Sequence, residues 1–371
     1  MAQRLPARPG DLLDAIETPA LVLDLPAFER NLDAMAKAVA ASGLRLRPHA
    51  KSHKCGAIAR AQLARGAIGI CCQKTDEALA FVAAGIRDVL LTNEVVESRK
   101  LARLAAAARE ARIGLLFDNV AAAQTASAAA AATGTTLDAY VEIDVGAGRC
   151  GVVPAQAGVL AAAIAALPGL RFAGLHCYHG AAQHLRAPAE REAAIAVARE
   201  RVLAARREVE CVGLEVAIVT GAGTGTWPIE LASGVWNELQ PGSYVFMDVD
   251  YGRNQSGARD FRFRHSLFVL ASVMSVPGPE RAVCDAGLKA FSFDSGLPLV
   301  HGREGLTYAK ASDEHGVLAL AAGAVPPALG ERVWLLPGHC DPTVNLYDWI
   351  VGVRHARVEC VWPVSARGAL G

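Results

Sequence analysis

The sequence predicts an α/β protein, a (β/α)8 TIM-type barrel followed by an all-β domain. Three observations carry this. Short apolar runs alternate with alanine-rich helical stretches from about residue 26 to 250. The alternation counts eight units in about 225 residues, which suits a closed barrel better than an open doubly wound sheet. Beyond it, helical periodicity fades and strand-like runs separated by Gly and Pro turns take over.

The elements follow in order. Barrel strands are read at 44–48, 68–72, 88–92, 112–118, 138–144, 171–178, 214–220 and 238–244. Helices are read between them at 56–65, 75–84, 96–109, 120–132, 154–167 and 188–210. After the barrel, strands are read at 263–276, 281–288, 317–321, 332–337 and 356–363. A further strand at 18–24 precedes the barrel and is expected to join them. The expected division is a barrel over 25–251 and a β domain built from 1–24 and 252–371.

Composition excludes some function classes. Thirty-seven basic residues balance 37 acidic ones, so no general phosphate-neutralising surface for nucleic acid is expected. Apolar residues make up 52%, ample for a large core. No apolar run approaches the ~18 residues that span a bilayer. The N-terminus carries no apolar signal core, so a cytoplasmic protein with no membrane partner is expected. The nine cysteines include no CxxC pair. Cys71, Cys72, Cys150, Cys177 and Cys284 lie in strand-like runs and are read as buried thiols. Cys340 differs because of its neighbours.

Four segments carry chemistry, and the first three fall at C-terminal ends of barrel strands, where barrel enzymes build their sites. The first is RPHAKSHK (47–54). It places Lys51 at the barrel mouth, with Arg47, Lys54 and in part His49 and His53 as flanking cations expected to lower its pKa. The second is TGAGTGT (220–226), a glycine-rich loop suited to an anion, with Gly242, Ser243 and Tyr244 as the other half of a cup. The third is DVGAGRCG (144–151), which presents Arg149. The fourth is PGHCDPT (337–343). If that segment is extended, His339 and Asp341 face one way and share a hard divalent cation, while Cys340 points to the other side. Each has a plainer reading alone: a solvated basic loop, a turn, a surface arginine, a capped aspartate.

Together, the segments resemble the D-threonine aldolase and D-serine dehydratase group of pyridoxal-phosphate enzymes, on the alanine-racemase-like fold (fold type III). The resemblance also runs through TPALVLDLPAFERNL (18–32), GICCQKTDEA (69–78), TNEVV (92–96), YHG (178–180), ELQPGSYVFMDVDYG (238–252), DAGLK (285–289) and SDEHG (312–316). It implies that Lys51 holds the cofactor covalently and that Arg149 lies near its phenolic oxygen. Gly223, Thr224, Gly225, Gly242, Ser243 and Tyr244 match the phosphate cup, and Gln73 and Tyr178 line the ring. Gln240 stands where racemases carry an arginine facing the pyridine nitrogen, which implies a weaker electron sink and less racemisation. His339 and Asp341 match ligands for Mn²⁺ or Mg²⁺. The dehydratase branch carries Cys at the second of these positions, so Asp341 implies the aldolase branch. The group's phosphate loop usually has three consecutive glycines. Here Ala222 interrupts them and is expected at a negative φ.

The resemblance implies retro-aldol cleavage of a β-hydroxy-D-amino acid to glycine and an aldehyde, with a homodimer as the assembly. His184 is the candidate base for the β-hydroxyl; a third metal ligand or a surface histidine are its other readings, and His53 is a lesser candidate base. Three rivals stand beside D-threonine aldolase activity: a 3-hydroxy-D-aspartate aldolase or, less favoured, a dehydratase; a non-catalytic pyridoxal-phosphate carrier; and a metal-dependent barrel hydrolase. Residues 255–371 argue against the carrier, which would lack a β domain.

Overall fold

The computed structural model describes residues 4–257 and 261–371. Residues 1–3 and 258–260, part of the expected β domain, lie outside the described residues.

Strand β1 (Ala20–Asp24) runs straight into helix α1 (Leu25–Ser42). The Asp24 carboxylate caps that helix by accepting the Ala27 N–H at 3.2 Å, Pro26 fills its first turn, and Gly43 ends it at φ 72. This helix was not expected from the sequence. The barrel then alternates as β2 (Arg45–Leu46), α2 (Gly56–Leu63), β3 (Ile70–Cys72), α3 (Thr75–Ala83), β4 (Asp88–Glu94) and α4 (Ser98–Ala107). It continues with β5 (Arg112–Phe117), α5 (Val120–Thr133), β6 (Leu137–Glu142), α6 (Ala157–Ala165), β7 (Leu170–Cys177) and α7 (Pro188–Cys211). It ends with β8 (Ile218–Gly221), α8 (Trp227–Ala232), β9 (Glu238–Leu239) and α9 (Val249–Gly252).

The eight strands are parallel, in the order β2-β9-β8-β7-β6-β5-β4-β3. A bridge between His49 and Cys71, with Cys71 N–H donating to the Pro48 carbonyl at 2.8 Å, closes the ring. The expected (β/α)8 barrel is therefore present. Its last strand is shorter than expected: Pro241 cannot continue it, and Ser243–Val245 forms a 3-10 turn instead. Cys71, Leu90, Leu116, Tyr140 and Ile218, from five strands, pack together inside the barrel. Most of the remaining buried side chains, Leu91 and Leu115 among them, belong to the larger core that includes the inward faces of the helices.

The second sheet contains β10 (Leu267–Gly278), β11 (Arg281–Cys284), β12 (Leu299–His301), β13 (Leu306–Ala311), β14 (Gly316–Leu320) and β15 (Arg332–Leu336). Helix α10 (Cys340–Val344), β16 (Trp349–Arg354) and β17 (Arg357–Pro363) follow. The strand order is β13-β14-β11-β10-β1-β16-β17, with β15 on β10 and β12 on β15. As expected, β1 joins this sheet. It lies in the middle, antiparallel to β10 and parallel to β16. Strands β12, β13 and β16 and helix α10 were not read from the sequence. No helix among the described residues is long and apolar enough to cross a membrane.

Candidate active site

A cavity of about 420 Å³ opens at the C-terminal ends of the barrel strands. Lys51, Gln73, Arg149, Tyr178, His184, Gly223, Thr224, Gln240, Gly242 and Ser243 line it. Lys51 lies on a 3-10 turn (Ala50–Ser52) after β2, where His49 Nδ1 accepts the Lys51 backbone N–H at 3.3 Å. His49 Nε2 lies 2.9 Å from Thr92 Oγ1 and 3.0 Å from Gln73 Nε2. Burial, helped by the Lys51 ammonium, holds the His49 imidazole well below its ordinary pKa.

The Lys51 ammonium pairs with Asp341, delivered from α10. This reverses the expectation for its charge. Burial alone would lower the Lys51 pKa, but the Asp341 carboxylate outweighs it and raises the value. The expected flanking cations are spent elsewhere. Arg47 points into the barrel, to Glu238 at 2.9 Å and to Asp88, and Lys54 pairs with buried Glu77 at 3.1 Å.

The anion cup is made by two loops. The backbone N–H groups of Gly223, Thr224, Gly242 and Ser243 have no hydrogen-bond partner within the chain among the described residues. Such a concave set of free donors fits a phosphate. Two expected members do not line the cavity. The Gly225 N–H is occupied by Gln183 Oε1 at 2.9 Å. The Tyr244 ring packs on Phe263, its hydroxyl meets Gln62 Nε2 at 3.2 Å, and only its N–H reaches the loop, donating to Thr224 Oγ1 at 3.0 Å. Ala222 lies at φ 70, not at the negative φ expected. The left-handed turn of the loop is made here, by a residue that pays about 1 kcal/mol or more for it.

A buried polar chain forms the floor. Gln240 Oε1 meets His176 Nε2 at 3.1 Å, and Gln240 Nε2 donates to Thr220 Oγ1 at 2.7 Å. Thr220 donates to Glu238 at 2.9 Å, which Arg47 neutralises. His176 Nδ1 contacts Glu142. Burial opposes a charge on His176, yet Glu142 outweighs it and raises the pKa. The Arg149 guanidinium lies 3.9 Å from Glu142 and 5.8 Å over the Tyr178 ring.

Elsewhere in the cavity lining, His184 Nδ1 meets Asp250 Oδ2 at 2.6 Å, and the Tyr251 ring lies 5.6 Å from the imidazole. Burial would raise the Asp250 pKa, but Arg186 and His184 hold it below the usual carboxylate range. His184 Nε2 has no partner within the chain among the described residues.

The HCD segment is not extended. His339 is the N-cap residue of α10, without a side-chain capping bond, and Asp341 lies in the first turn of that helix, where Cys340 N–H donates to buried Asp248 at 2.9 Å. His339 Nδ1 meets Asp294 at 2.7 Å, while Asp341 also accepts from Ser243 Oγ at 3.2 Å. Cys340 is buried against Asp341 and not turned to an opposite face. Cys150 is half-buried in a loop and not in a strand, whereas Cys71, Cys72, Cys177 and Cys284 are buried as expected.

Lys51, four free N–H groups and the Gln240 amide could hold pyridoxal phosphate, and the donor chemistry fits it. His339 and Asp341 offer a divalent ion one imidazole nitrogen and one carboxylate. Asp294 steadies that imidazole as carboxylates steady metal-binding histidines. No group of three or more His, Cys, Asp or Glu suited to a metal occurs among the described residues. The pair fits a hard ion that takes the rest of its shell from water or substrate. Sequence reasoning assigned no role to His176, Gln183, Asp250 or Asp294, and counted His49 only as a partial flanking cation, which its lowered pKa overturns. Their roles depend on partners from other strands, and no local spacing marks them.

The alanine racemase N-terminal domain family matches residues 23–250, and the family described as "Putative serine dehydratase domain" matches 266–353. A D-threonine aldolase of Arthrobacter sp is 49% identical, over 98% of this chain and 96% of the relative. A 3-hydroxy-D-aspartate aldolase of Paracoccus denitrificans is 47% identical, over 98% of this chain and 95% of the relative. The crystal structure of D-threonine aldolase from Filomicrobium marinum superimposes with a TM-score of 0.97 at 48% identity, covering 99% of this chain and 100% of that one. With matches of this extent over both the barrel and the second sheet, the chain belongs to the alanine-racemase-like family, in its aldolase branch of lyases.

Proposed function

We propose that the chain is a pyridoxal-phosphate- and divalent-metal-dependent D-threonine aldolase, cleaving β-hydroxy-D-amino acids to glycine and an aldehyde. The observation that carries the reading is the mouth itself. Lys51, from the turn after β2, and Asp341, from α10, meet there, and His184, held by Asp250, lines the same cavity as Lys51.

Lys51 would hold the cofactor, with Arg149, Gln73, Tyr178 and Gln240 around its ring and Gly223, Thr224, Gly242 and Ser243 at its phosphate. The bound cofactor supplies an electron sink for the Cα–Cβ bond. His339 and Asp341 would hold Mn²⁺ or Mg²⁺, which favours ionisation of the β-hydroxyl. His184 takes the hydroxyl proton on Nε2, and Asp250 keeps the ring oriented for it and stabilises the imidazolium. The β-carbon leaves as the aldehyde, and the amino-acid fragment regains a proton at Cα as glycine. The reading includes a soluble cytoplasmic homodimer and the two domains 25–251 and 1–24 with 252–371.

A second reading is a 3-hydroxy-D-aspartate aldolase, supported by the 47% identity to that Paracoccus enzyme. Two variants test the shared chemistry. Lys51→Ala is expected to lose the bound-cofactor absorbance, and Asp341→Ala to keep it but lose cleavage. Full activity in either variant would remove that residue from the reading.

A further inference from the structure

We propose that Gln183 is a positioning residue that couples occupancy of the phosphate cup to the placement of His184. The inference rests on the reading of His184 as the base.

Gln183 is fully buried on the 3-10 turn Ala181–His184, one residue before the imidazole. Its side chain does not stay on that turn. Oε1 accepts the Gly225 N–H at 2.9 Å, and Nε2 donates to Thr226 Oγ1 at 2.8 Å and to the His179 carbonyl at 3.2 Å. Thr226 in turn donates to buried Glu230 at 2.7 Å. The glycines of the cup are shaped to this intrusion. A Cβ on Gly223 would lie 2.5 Å from Gln183 Oε1, and one on Gly225 would lie 2.4 Å from the Gln183 carbonyl oxygen. Neither glycine has a left-handed φ, so close approach, not backbone freedom, demands them.

The other end of Gln183 is tied to His184 through a ring of hydrogen bonds. The Gln183 carbonyl accepts Asn254 Nδ2 at 2.9 Å, and Asn254 Oδ1 accepts Arg186 Nη1 at 2.6 Å. Arg186 pairs with Asp250, and Asp250 meets His184 Nδ1. Gln183 thus touches the loop whose free N–H groups await a phosphate and closes the ring that aims the imidazole. A phosphate drawing the Gly223 and Thr224 N–H groups together fixes Gln183, and Gln183 fixes the ring.

Gln183→Met keeps the bulk and removes all three side-chain bonds. It is expected to weaken pyridoxal-phosphate binding about tenfold, read by absorbance titration. At saturating cofactor, kcat is expected to fall about tenfold with KM little changed. In a His184→Asn background the same substitution is expected to lower kcat no further, because the path to the base is already cut. Additive kcat losses in the double variant, or a binding defect with unchanged kcat, would overturn the coupling. A second measurement needs neither variant folding nor turnover. Inorganic phosphate added to the cofactor-free wild-type chain is expected to slow amide exchange across residues 181–186, and unchanged exchange at saturating phosphate overturns the proposal. If the wild-type enzyme cleaves no β-hydroxy-D-amino acid, the proposed function fails, while the exchange result still decides the coupling.

Discussion

At Ala222 the phosphate loop takes a left-handed turn that its neighbouring glycines do not. The sequence suggested the opposite, because glycine is the usual resident of such a turn; the close approach of Gln183, by its side chain at Gly223 and by its backbone at Gly225, explains why those two are glycines. Ala222→Gly should relieve about 1–2 kcal/mol of strain and return about 0.4–1 kcal/mol in unfolded-state entropy. A net gain of about 0.5–1 kcal/mol in denaturant unfolding is expected, and a loss would mean that the Ala222 methyl contributes packing that exceeds the strain. Glu230 makes the pH prediction. Burial raises its carboxyl from 4.5 to about 7, and one of its oxygens has no partner. The folded state therefore keeps a proton that the unfolded chain releases. Stability contributed by this group is present below pH 4.5 and is lost as pH rises towards about 7. The loss is up to about 3 kcal/mol at 1.36 kcal/mol per unit. Glu230→Gln should flatten that slope in unfolding measured from pH 4 to 8; an unchanged slope would contradict the assignment.

Among the elements, the barrel was the most legible in sequence because each strand is an apolar run bounded by a turn and a helix. Helix α1 escaped because it follows β1 with no loop between them, so its Asp24 cap reads as the end of a strand. Strand β13 escaped for a different reason: Lys310 interrupts the run that would mark it. The bend at His339 was illegible because the partner of the Cys340 N–H there, Asp248, lies far away in sequence. The shortest barrel strands, β2 and β9, are held together by charge inside the barrel. Arg47 and Glu238 are both buried and paired at 2.9 Å, with Arg45 3.9 Å from the other Glu238 oxygen. Arg47→Met would leave that carboxylate buried without its partner, at a cost of about 3–5 kcal/mol. A cost below about 1 kcal/mol in denaturant unfolding would mean that Arg45 takes over.

For the molecule as a whole, one N-terminal strand ties the second sheet to the barrel. Strand β1 leaves the N-terminus, takes the centre of the second sheet, and feeds α1 and the barrel. Helix α10, which follows β15, then brings Asp341 to Lys51 and Ser243, with His339 held beside it by Asp294. The residue identities of this site were legible from the motifs. Their partners were not, since each pairing joins segments separated by long stretches of chain. The reading makes one central demand, that both halves act in one carbon–carbon cleavage. The most direct test is aldehyde release from D-threonine and D-threo-3-hydroxyaspartate side by side, with pyridoxal phosphate, with and without EDTA. Aldehyde and glycine from at least one substrate, abolished by EDTA and restored by Mn²⁺, is the result expected, and the ratio of rates names the preferred substrate. Ammonia and a keto acid in place of aldehyde would contradict it.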